Sequence, residues 1–395
     1  HLQNRGLRVV LLEADDEIGG RVRTDRIDGY LLDRGFQVLL TAYPEAKAML
    51  DLDALRLGSF APGAMVRTNS RFARVADPVR RPGEALRTLF SGLATPLDAL
   101  RIARLRHRVS RGIPLDLLRK PSQGTLDALK GEGFSERIIE GFFRPFFGGV
   151  MLDRELRGSS RALEFLFRMF AEGEAALPAQ GMGAIPSQLA ARLTPGTLRT
   201  RTRVARIDRS GVTLESGERI DARAVVVATA ARAAAKLIPG VAVPEANSAC
   251  SLQFDAPAAP PVGDFLVLNG TDEGPVNELC VPSQVVPSYA PAGRALVSAS
   301  VLAPVIRDDE ALEAAVRSQL TNWFGPEVSG WRLLRIDRIP DALPSQPPGP
   351  FQPECRTTHL SDRLFNCGDH RDLASLQGAM ASGRRAAMEV AEAAG

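Results

Sequence analysis

Four residues near the start of the chain have side chains suited to holding a nucleotide. Glu13 follows an apolar run, and Gly19, Gly20 and Arg21 come a few residues later. In dinucleotide-binding folds, a carboxylate at the end of a buried strand accepts hydrogen bonds from ribose hydroxyls. Glycines let backbone N–H groups approach phosphate oxygens, and an arginine donates to them bidentately. The spacing predicts a ribose and diphosphate site; for the strand alone, the alternative is an ordinary strand ending in a solvated glutamate.

A second group of residues lies near the end of the chain. Gly368 and Asp369 form a turn after a short apolar strand, and a helix is predicted from Ser375 onward. One face of this helix carries small residues, namely Gly378, Ala379, Ser382 and Gly383. Small residues allow close approach to a sheet or a cofactor, and a helix N-terminus stabilises negative charge through its free N–H groups. The segment is typical of a helix that faces an anionic group.

The elements that would position these residues are those of a parallel sheet. Residues 7–12 form a nearly unbroken apolar run, which fits a strand buried on both faces. Residues 1–5 are interpreted as the end of a crossover helix, with Gly6 as its C-terminal cap. In a dinucleotide-binding unit, the first glycine of the phosphate loop lies about 20 residues before the acidic residue. That position falls upstream of His1, so we expect an N-terminal truncation that removes the first strand and the glycine loop.

The two segments resemble those of the flavin amine oxidase superfamily, which includes monoamine oxidases, protoporphyrinogen oxidases and phytoene desaturases. The first segment is E-A-D-D-E-I-G-G-R-V-R-T, and the second is G-D followed by S-x-x-G-A-x-x-S-G. The resemblance implies an FAD-dependent oxidoreductase in which the first segment lies along the FAD ribose and diphosphate. It also implies that Asp369 contacts the ribityl–diphosphate region and that the backbone of Leu376, Gln377 and Gly378 faces the flavin pyrimidine.

Two further segments carry parts of the same resemblance. Residues 29–40 look like the family's D-x-G segment, which implies that Gly35 and Phe36 approach the isoalloxazine ring. Val204 corresponds to the residue whose backbone holds the adenine. A plain hairpin-like turn and ordinary sheet core are the respective alternatives. The cofactor-binding residues implied by the resemblance are Glu13, Gly19, Gly20, Arg21, Gly35, Phe36, Val204, Gly368, Asp369, Leu376, Gln377 and Gly378.

The resemblance also implies the fold and its division along the chain. The expected fold is α/β, with a doubly wound, Rossmann-like FAD-binding domain that is discontinuous in sequence and carries an inserted α+β substrate-binding domain. We assign residues 1–78, 181–240 and 351–395 to the FAD-binding domain. Residues 79–180 and 241–350 are assigned to the substrate-binding domain.

Two departures from the superfamily limit the chemistry. Residues 340–349, comparable to the attachment region of monoamine oxidases, contain no cysteine, so we expect non-covalent FAD. Residues 248–254 lack the lysine that many amine oxidases place near flavin N5, which weakens an amine-oxidase assignment. We predict hydride transfer from a C–N or C–C bond of an apolar small molecule to flavin N5, and no catalytic residue is identified. The alternatives are a non-catalytic binding protein of the same fold, like the GDP-dissociation inhibitors, and an inactive fragment unable to hold FAD.

Composition argues against several other classes. The 395 residues carry a net charge of +3, which is too small to indicate nucleic-acid binding. The four cysteines lack C-x-x-C spacing, so we expect reduced thiols in a cytoplasmic protein and no metal site. No apolar run approaches the roughly 18 residues of a transmembrane helix. The Arg- and Leu-rich stretch 80–119 is either a basic amphipathic surface in peripheral contact with a membrane or a solvated helical face.

Two patterns predict the core of the second domain. Eight phenylalanines lie between residues 134 and 170, where they either fill a helical core or line an apolar substrate cavity. Core packing is expected for most of them. Asp308 is predicted to cap a helix whose apolar stripe consists of Leu312, Val316, Leu320 and Trp323.

Overall fold

The computed structural model describes residues 1–69, 71–76, 92–208, 210–349, 357–361 and 363–394. Its strands are β1 (Leu11–Leu12), β2 (Thr24–Ile27), β3 (Tyr30–Asp33), β4 (Leu39–Leu40), β5 (Gly58–Ser59), β6 (Gly63–Arg67), β7 (Phe72–Ala76), β8 (Ala175–Leu177), β9 (Leu198–Arg199), β10 (Val204–Asp208), β11 (Gly211–Leu214), β12 (Arg219–Asp221), β13 (Val225–Val227), β14 (Ala246–Ala256), β15 (Leu266–Asn269), β16 (Val276–Cys280), β17 (Ala295–Leu302), β18 (Arg332–Pro344), β19 (His359–Ser361) and β20 (Leu364–Asn366). Its α-helices are α1 (Pro44–Met49), α2 (Pro96–Val109), α3 (Thr125–Gly131), α4 (Glu136–Ile138), α5 (Arg144–Met151), α6 (Ser160–Glu172), α7 (Ala184–Ala190), α8 (Ala231–Leu237), α9 (Pro282–Val285), α10 (Asp309–Phe324) and α11 (Leu376–Ala394). A π-helix covers Ile139–Phe143, and 3₁₀ helices cover Gln3–Arg5, Pro114–Arg119, Pro287–Tyr289, Pro326–Gly330 and Asp369–Arg371.

The described strands form one large sheet and several small ones. The large sheet has seven strands in the order β18-β14-β17-β16-β15-β6-β7. Among the small sheets, β1 pairs in parallel with β9, and β13 pairs in parallel with β20, which β19 extends. Strands β10, β11 and β12 form an antiparallel meander. Parallel pairs between stretches that are distant in the chain, together with the many helices, confirm the predicted mixed α/β class.

Strand pairing bears on the division into domains. The parallel pairs β1–β9 and β13–β20 join the start, the middle and the end of the chain, as a discontinuous first domain requires. Strands β6 and β7, however, continue the large sheet through the parallel pair β6–β15. Residues 63–76 therefore lie in the same sheet as residues 246–344, whereas the sequence division placed them within 1–78. The division itself stays a prediction.

The predicted first strand is shorter than the apolar run that suggested it. Strand β1 alone pairs with β9, and residues 7–10 precede it as extended chain. Val10 and Leu11 are 46% and 40% exposed, so the prediction of burial on both faces is wrong. The reason is that the run borders the cavity described below. Upstream, the predicted helix end is a 3₁₀ turn over Gln3–Arg5, and Gly6 caps it with a φ of 77°.

Helix α10 covers the apolar face of the large sheet. Asp308 caps its N-terminus by accepting a hydrogen bond from the Ala311 N–H at 2.8 Å. Its buried stripe packs against alternate apolar residues of β14, β16 and β17, and it consists of Leu312, Val316, Leu320 and Trp323. The predicted cap and stripe are confirmed.

The other face of the large sheet is polar although it is buried. Ser251 and Gln253 alternate with apolar residues in β14, and Ser298 and Ser300 do the same in β17. Glu278 of β16 pairs with Ser300. All five side chains belong to residues that are 5% exposed or less. Because buried polar groups need polar partners, this face marks where the sheet meets polar surroundings.

The phenylalanine-rich segment forms a helical core beside the large sheet. Four of these residues are buried, namely Phe134, Phe143, Phe147 and Phe165. Four others are partly buried and pack against the same cluster, namely Phe142, Phe146, Phe167 and Phe170. The expectation of core packing for most of these residues is confirmed. Phe146 and Phe170 also line the cavity described below.

The basic stretch 80–119 is described only in part, because residues 80–91 lie outside the described residues. Helix α2 carries much of the rest, and its Leu97 and Leu100 are 60% and 66% exposed. A membrane-contacting surface and a solvated face both stay predictions. Within the described ranges, no helix is both long and apolar enough to cross a membrane.

Asp33, at the end of β3, links the β2–β3 hairpin to two distant segments. Its carboxylate accepts hydrogen bonds from the Thr24 hydroxyl, from the Met182 N–H at 2.9 Å and from the Tyr289 hydroxyl at 2.8 Å. The residue is 8% exposed, and burial raises the pKa of its carboxyl although these hydrogen bonds oppose the shift. Asp33 thereby fixes the turn that precedes Gly35.

The start of α11 is packed against the chain that precedes it. The Ser375 hydroxyl accepts a hydrogen bond from the Gly378 N–H at 3.1 Å, which caps the helix. A Cβ at Gly378 would overlap the Leu373 carbonyl oxygen. One turn later, the Ser382 hydroxyl accepts from the Gly368 N–H at 3.0 Å and donates to the Gly368 carbonyl at 2.9 Å. The helix therefore holds the turn that carries Asp369.

Replacing Tyr289 with Phe should lower the free energy of unfolding by about 2 kcal/mol, since a buried carboxylate loses a hydrogen bond. Urea unfolding measures this loss. A double-mutant cycle with Asp33→Asn isolates the pair, and we expect the double variant to be more stable than the sum of the single losses implies. Strictly additive losses would contradict the assigned contact.

Replacing Gly378 with Ala should destabilise the protein by about 3 kcal/mol, because the added methyl group has no room beside Leu373. Gly383→Ala in the same helix is the matched control, since a Cβ there meets nothing within 4 Å. Helix propensity predicts that this control gains up to about 1 kcal/mol. Thermal and urea unfolding of both variants measure the difference, and equal effects at the two positions would refute the packing argument.

Candidate functional site

A single cavity of ≈ 2410 Å³ runs between the small parallel sheets and the polar face of the large sheet. Both terminal segments line it, including Glu13 from the start of the chain and Asp369 from the end. Pockets for single small ligands usually measure about 300–1,000 Å³. The cavity therefore has room for a dinucleotide-sized ligand together with a second molecule.

Glu13 lies directly after β1, at the carboxyl end of the parallel pair β1–β9. Its N–H donates to the Arg199 carbonyl at 2.9 Å, which continues the pairing by one residue. Its Oε1 accepts a hydrogen bond from the Asp15 N–H at 2.9 Å. Ligands of parallel α/β sheets bind outside the carboxyl ends of the strands. The structure thus places Glu13 at the kind of position that the sequence predicted.

Gly19, Gly20 and Arg21 form the next part of the cavity wall. Gly19 and Gly20 have φ values of 112° and 54°, and a Cβ on Gly20 would meet nothing within 4 Å. Arg21 Nη2 lies 2.8 Å from Asp369 Oδ2, and Arg21 Nη1 donates to the Ala342 carbonyl at 2.8 Å. The two segments singled out in the sequence therefore touch each other through an ion pair.

The closing segment contributes fewer residues to the wall than the sequence suggested. Gly368, Asp369 and Leu376 line the cavity. Gln377 is 1% exposed, and its Oε1 accepts a hydrogen bond from the Glu45 N–H at the start of α1. Gly378 packs against the preceding loop, as described above. Gln377 and Gly378 therefore lie outside the cavity lining in this structure.

Gly35, Phe36 and Val204 also line the same cavity. Gly35 has a φ of 83°, and a Cβ there would lie 2.7 Å from the Ile339 side chain, so close approach to β18 requires glycine. Phe36 packs edge-to-face on Phe60 with ring centroids 5.9 Å apart. Ten of the twelve residues implied by the resemblance thus share one cavity.

Apolar side chains form another part of the cavity wall. Helices α5 and α6 contribute most of them, and the lining includes Phe146, Val150, Met151, Leu166 and Phe170. Tyr43 lines the cavity beside them and hydrogen-bonds to Ser375, and burial raises the pKa of its hydroxyl. This wall suits an apolar molecule.

Glu278 is a cavity-lining residue that the sequence analysis did not identify. It is 4% exposed, and burial raises the pKa of its carboxyl to about 7, although hydrogen bonds from Asn277 and Ser300 and the charge of Arg154 oppose the shift. The available signal was an acidic residue inside the otherwise strand-like stretch VNELC. The pattern did not show which face of the strand it occupies.

Two of the described cysteines line the cavity as well. Burial raises the pKa of Cys250 and of Cys367 to about 11, so both are thiols near neutral pH. Cys280 is buried and free. The fourth cysteine, Cys355, lies outside the described residues.

Comparison with known proteins identifies related chains. A family model described as flavin containing amine oxidoreductase matches residues 1–391. Protoporphyrinogen oxidase 2, chloroplastic/mitochondrial, of Arabidopsis thaliana is 28% identical over 153 residues, which are 38% of this chain and 27% of that protein. The match thus spans far less than two thirds of the relative's length.

Solved structures show a similar fold. An oxidoreductase from Methanosarcina mazei superposes with a TM-score of 0.72 at 17% identity, covering 99% of this chain and 96% of that chain. Cyclohexylamine oxidase from Brevibacterium oxydans IH-35A gives a TM-score of 0.69 at 17% identity, covering 99% and 95%. At such identities the likeness concerns the fold alone. The family model, by contrast, spans nearly the whole chain and confirms the resemblance of the two terminal segments: the chain belongs to the flavin-containing amine oxidoreductase family.

Proposed function

We propose that the protein is an FAD-dependent oxidoreductase that removes a hydride from a C–N or C–C bond of an apolar small molecule. The observation that carries this proposal is the ion pair between Arg21 and Asp369 inside one cavity. This ion pair brings the segment from Glu13 to Arg21, which is suited to binding a ribose and a diphosphate, close to the N-terminal end of helix α11. The same cavity continues to an apolar wall where a substrate would bind.

The residues at one end of the cavity fit an adenine dinucleotide. Glu13 offers a carboxylate for ribose hydroxyls, and Gly20 leaves space for a phosphate beside its backbone. Arg21 supplies a cation at the same place. The backbone of Val204 would hold the adenine. These groups match the adenosine and diphosphate parts of FAD, which supports FAD over a smaller flavin.

The flavin, when bound, supplies the hydride acceptor. The protein chain would hold the substrate and the flavin in position and form the surroundings of the reacting bond. The positive N-terminal end of α11, which lines the cavity at Leu376, would stabilise negative charge on the pyrimidine side of the ring. The apolar side chains of α5 and α6 would exclude water around the reacting bond.

The cavity thiols support non-covalent binding. Attachment through sulfur needs a thiolate. Burial raises the pKa of Cys250 and Cys367 to about 11, so both remain protonated thiols near neutral pH. Residues 340–349, comparable to the attachment region in the monoamine oxidases, offer no cysteine. Both points favour an FAD held by hydrogen bonds and ion pairs.

The test of the function is anaerobic mixing of the flavin-loaded protein with a panel of amines, porphyrinogens and polyenes. Loss of the visible flavin absorbance with one class identifies the bond that is oxidised. A protein that binds FAD and bleaches with none of these classes would favour the non-catalytic binding alternative.

Arg21→Ala should weaken FAD binding by about tenfold or more, since the diphosphate loses a charge-assisted donor. Titration of FAD into the protein, followed by flavin fluorescence, measures the dissociation constant. Arg199→Ala is the matched control, because Arg199 pairs with the exposed Glu218 at 2.7 Å and lies outside the cavity lining. Equal losses in both variants would argue against a cofactor role for Arg21.

Acid precipitation of the loaded protein should release all of its flavin into the supernatant, where chromatography and mass measurement should identify it as FAD. This outcome follows from the high pKa of both cavity thiols. Yellow colour that stays with the precipitated polypeptide would contradict non-covalent binding.

A further inference from the structure

A row of polar residues crosses the large sheet on the face that borders the cavity. In register, Asp337 of β18 pairs with Ser251 of β14, Ser251 with Ser300 of β17, and Ser300 with Glu278 of β16. Residues directly opposite each other in antiparallel strands project from the same face. Ser251, Ser300 and Glu278 all line the cavity. The row ends at Glu278, opposite helix α5.

Glu278 lines the cavity, and its neighbours enclose most of its side chain. Asn277 and Ser300 donate hydrogen bonds to it. Helix α5 meets it with Gly149, where a Cβ would overlap Oε2, so the helix backbone packs directly against that oxygen. The nearby titratable groups are Cys280, whose pKa Glu278 helps to raise, and Arg154.

Arg154 does not neutralise Glu278 by direct contact. Its guanidinium donates to the Asn277 side chain at 3.0 Å, to the Thr271 carbonyl at 3.0 Å and to Asp272 at 2.8 Å. In the described part of the chain, no lysine, arginine or histidine nitrogen lies within 4.0 Å of the Glu278 carboxylate. A buried carboxylate without a cation is unfavourable unless additional donors reach it.

The charges of the cavity wall are divided between the elements that line it. We call the large sheet, helices α5 and α6 and the loop between these helices the substrate side. None of the cations among the described lining residues lies there; these cations are Arg8, Arg21, Arg34, Arg203, Arg223, Lys236 and Arg363. The substrate side contributes carboxylates instead. Asp153 is held by Arg157, and Asp341 by Arg232. Glu278 is therefore the carboxylate on this side that lacks an arginine contact within the described residues.

We propose that Glu278, aided by Ser300 and Ser251, is a specificity-determining subsite that accepts hydrogen bonds from an N–H or O–H group on an otherwise apolar substrate. This inference rests on the proposed function, because it assigns the polar end of the substrate for that same cavity. The apolar side chains of α5 and α6 receive the rest of the molecule. A substrate carboxylate would be repelled at this position.

Calorimetric titration with benzylamine and phenylacetate tests the subsite, because the two probes share an aromatic body and differ in the polar group. Binding is measured for the flavin-loaded and the flavin-free protein at about pH 6 and about pH 8, on either side of the pKa of Glu278. We expect benzylamine to bind more tightly than phenylacetate, and more tightly at the higher pH, where the carboxyl is ionised.

Glu278→Gln should weaken benzylamine binding by about tenfold or more, since a charge-assisted hydrogen bond is lost. It should also remove the pH dependence and lessen the discrimination against phenylacetate. Ser300→Ala should weaken benzylamine binding by a smaller factor. Glu140→Gln is the matched control, because it removes the same charge from a residue that pairs with Arg144 outside the cavity.

Unchanged benzylamine affinity in Glu278→Gln would overturn the proposal, and so would an equal loss in Glu140→Gln. The outcome is separable from that of the proposed function. If the protein binds no flavin and yet shows Glu278-dependent benzylamine binding, the subsite stands and the oxidoreductase proposal fails. If amines bleach the flavin and Glu278→Gln binds benzylamine like the unmodified protein, the subsite fails alone.

The pH dependence of unfolding checks that Glu278 titrates inside the folded protein. Its folded pKa of about 7 lies above the ordinary value of 4.5. Its contribution to stability is therefore full below about pH 4.5 and is lost as the pH rises toward 7. The urea midpoint of Glu278→Gln should exceed that of the unmodified protein at about pH 8 and should lack this fall. Parallel pH profiles of the two proteins would contradict the assignment of a buried, titrating carboxyl.

Discussion

The ion pair between Arg21 and Asp369 is the contact on which the arrangement of the cavity depends. The Asp369 side chain is 8% exposed and that of Arg21 is 33% exposed, so the carboxylate is nearly desolvated while its partner remains reachable. Half-exposed pairs add little to stability. This pair instead fixes the relative positions of chain segments, because the same guanidinium also donates a hydrogen bond to the Ala342 carbonyl of β18. One side chain thus connects the first segment, the last segment and the edge strand of the large sheet.

The two faces of the large sheet have different roles: one forms an apolar core and the other borders the cavity. Helix α10 covers the apolar face and buries Trp323 and its neighbours, which drives the sheet to form. The opposite face carries buried serines, Gln253 and Glu278. Gln253 donates to the Asp33 carbonyl at 2.7 Å, so part of this polar face fixes the β2–β3 hairpin. Other polar groups of this face border the cavity, where a ligand can form hydrogen bonds with them.

Local elements are predictable from this sequence because neighbouring residues define them. The Asp308 cap, the stripe of α10 and the helix after Ser375 all follow from helical spacing and capping chemistry. Pairings between distant stretches do not follow. The addition of β6 and β7 to the large sheet depends on their contact with β15, which no local period encodes. For the same reason the sequence gives the small-residue face of α11 but not the burial of Gln377.

Glu278 shows why part of the site escapes sequence reasoning. Its place in the cavity wall depends on the pairing of β16 with β17 and on the placement of Gly149 against its carboxylate. A larger residue at position 149 would occupy the space of the carboxylate, which would then have to move. The glycine in α5 is therefore coupled to a charge in β16 that lies far away in the chain. Because no arginine among the described residues contacts that carboxyl, burial raises its pKa, and the hydrogen bonds from Asn277 and Ser300 oppose the shift only in part.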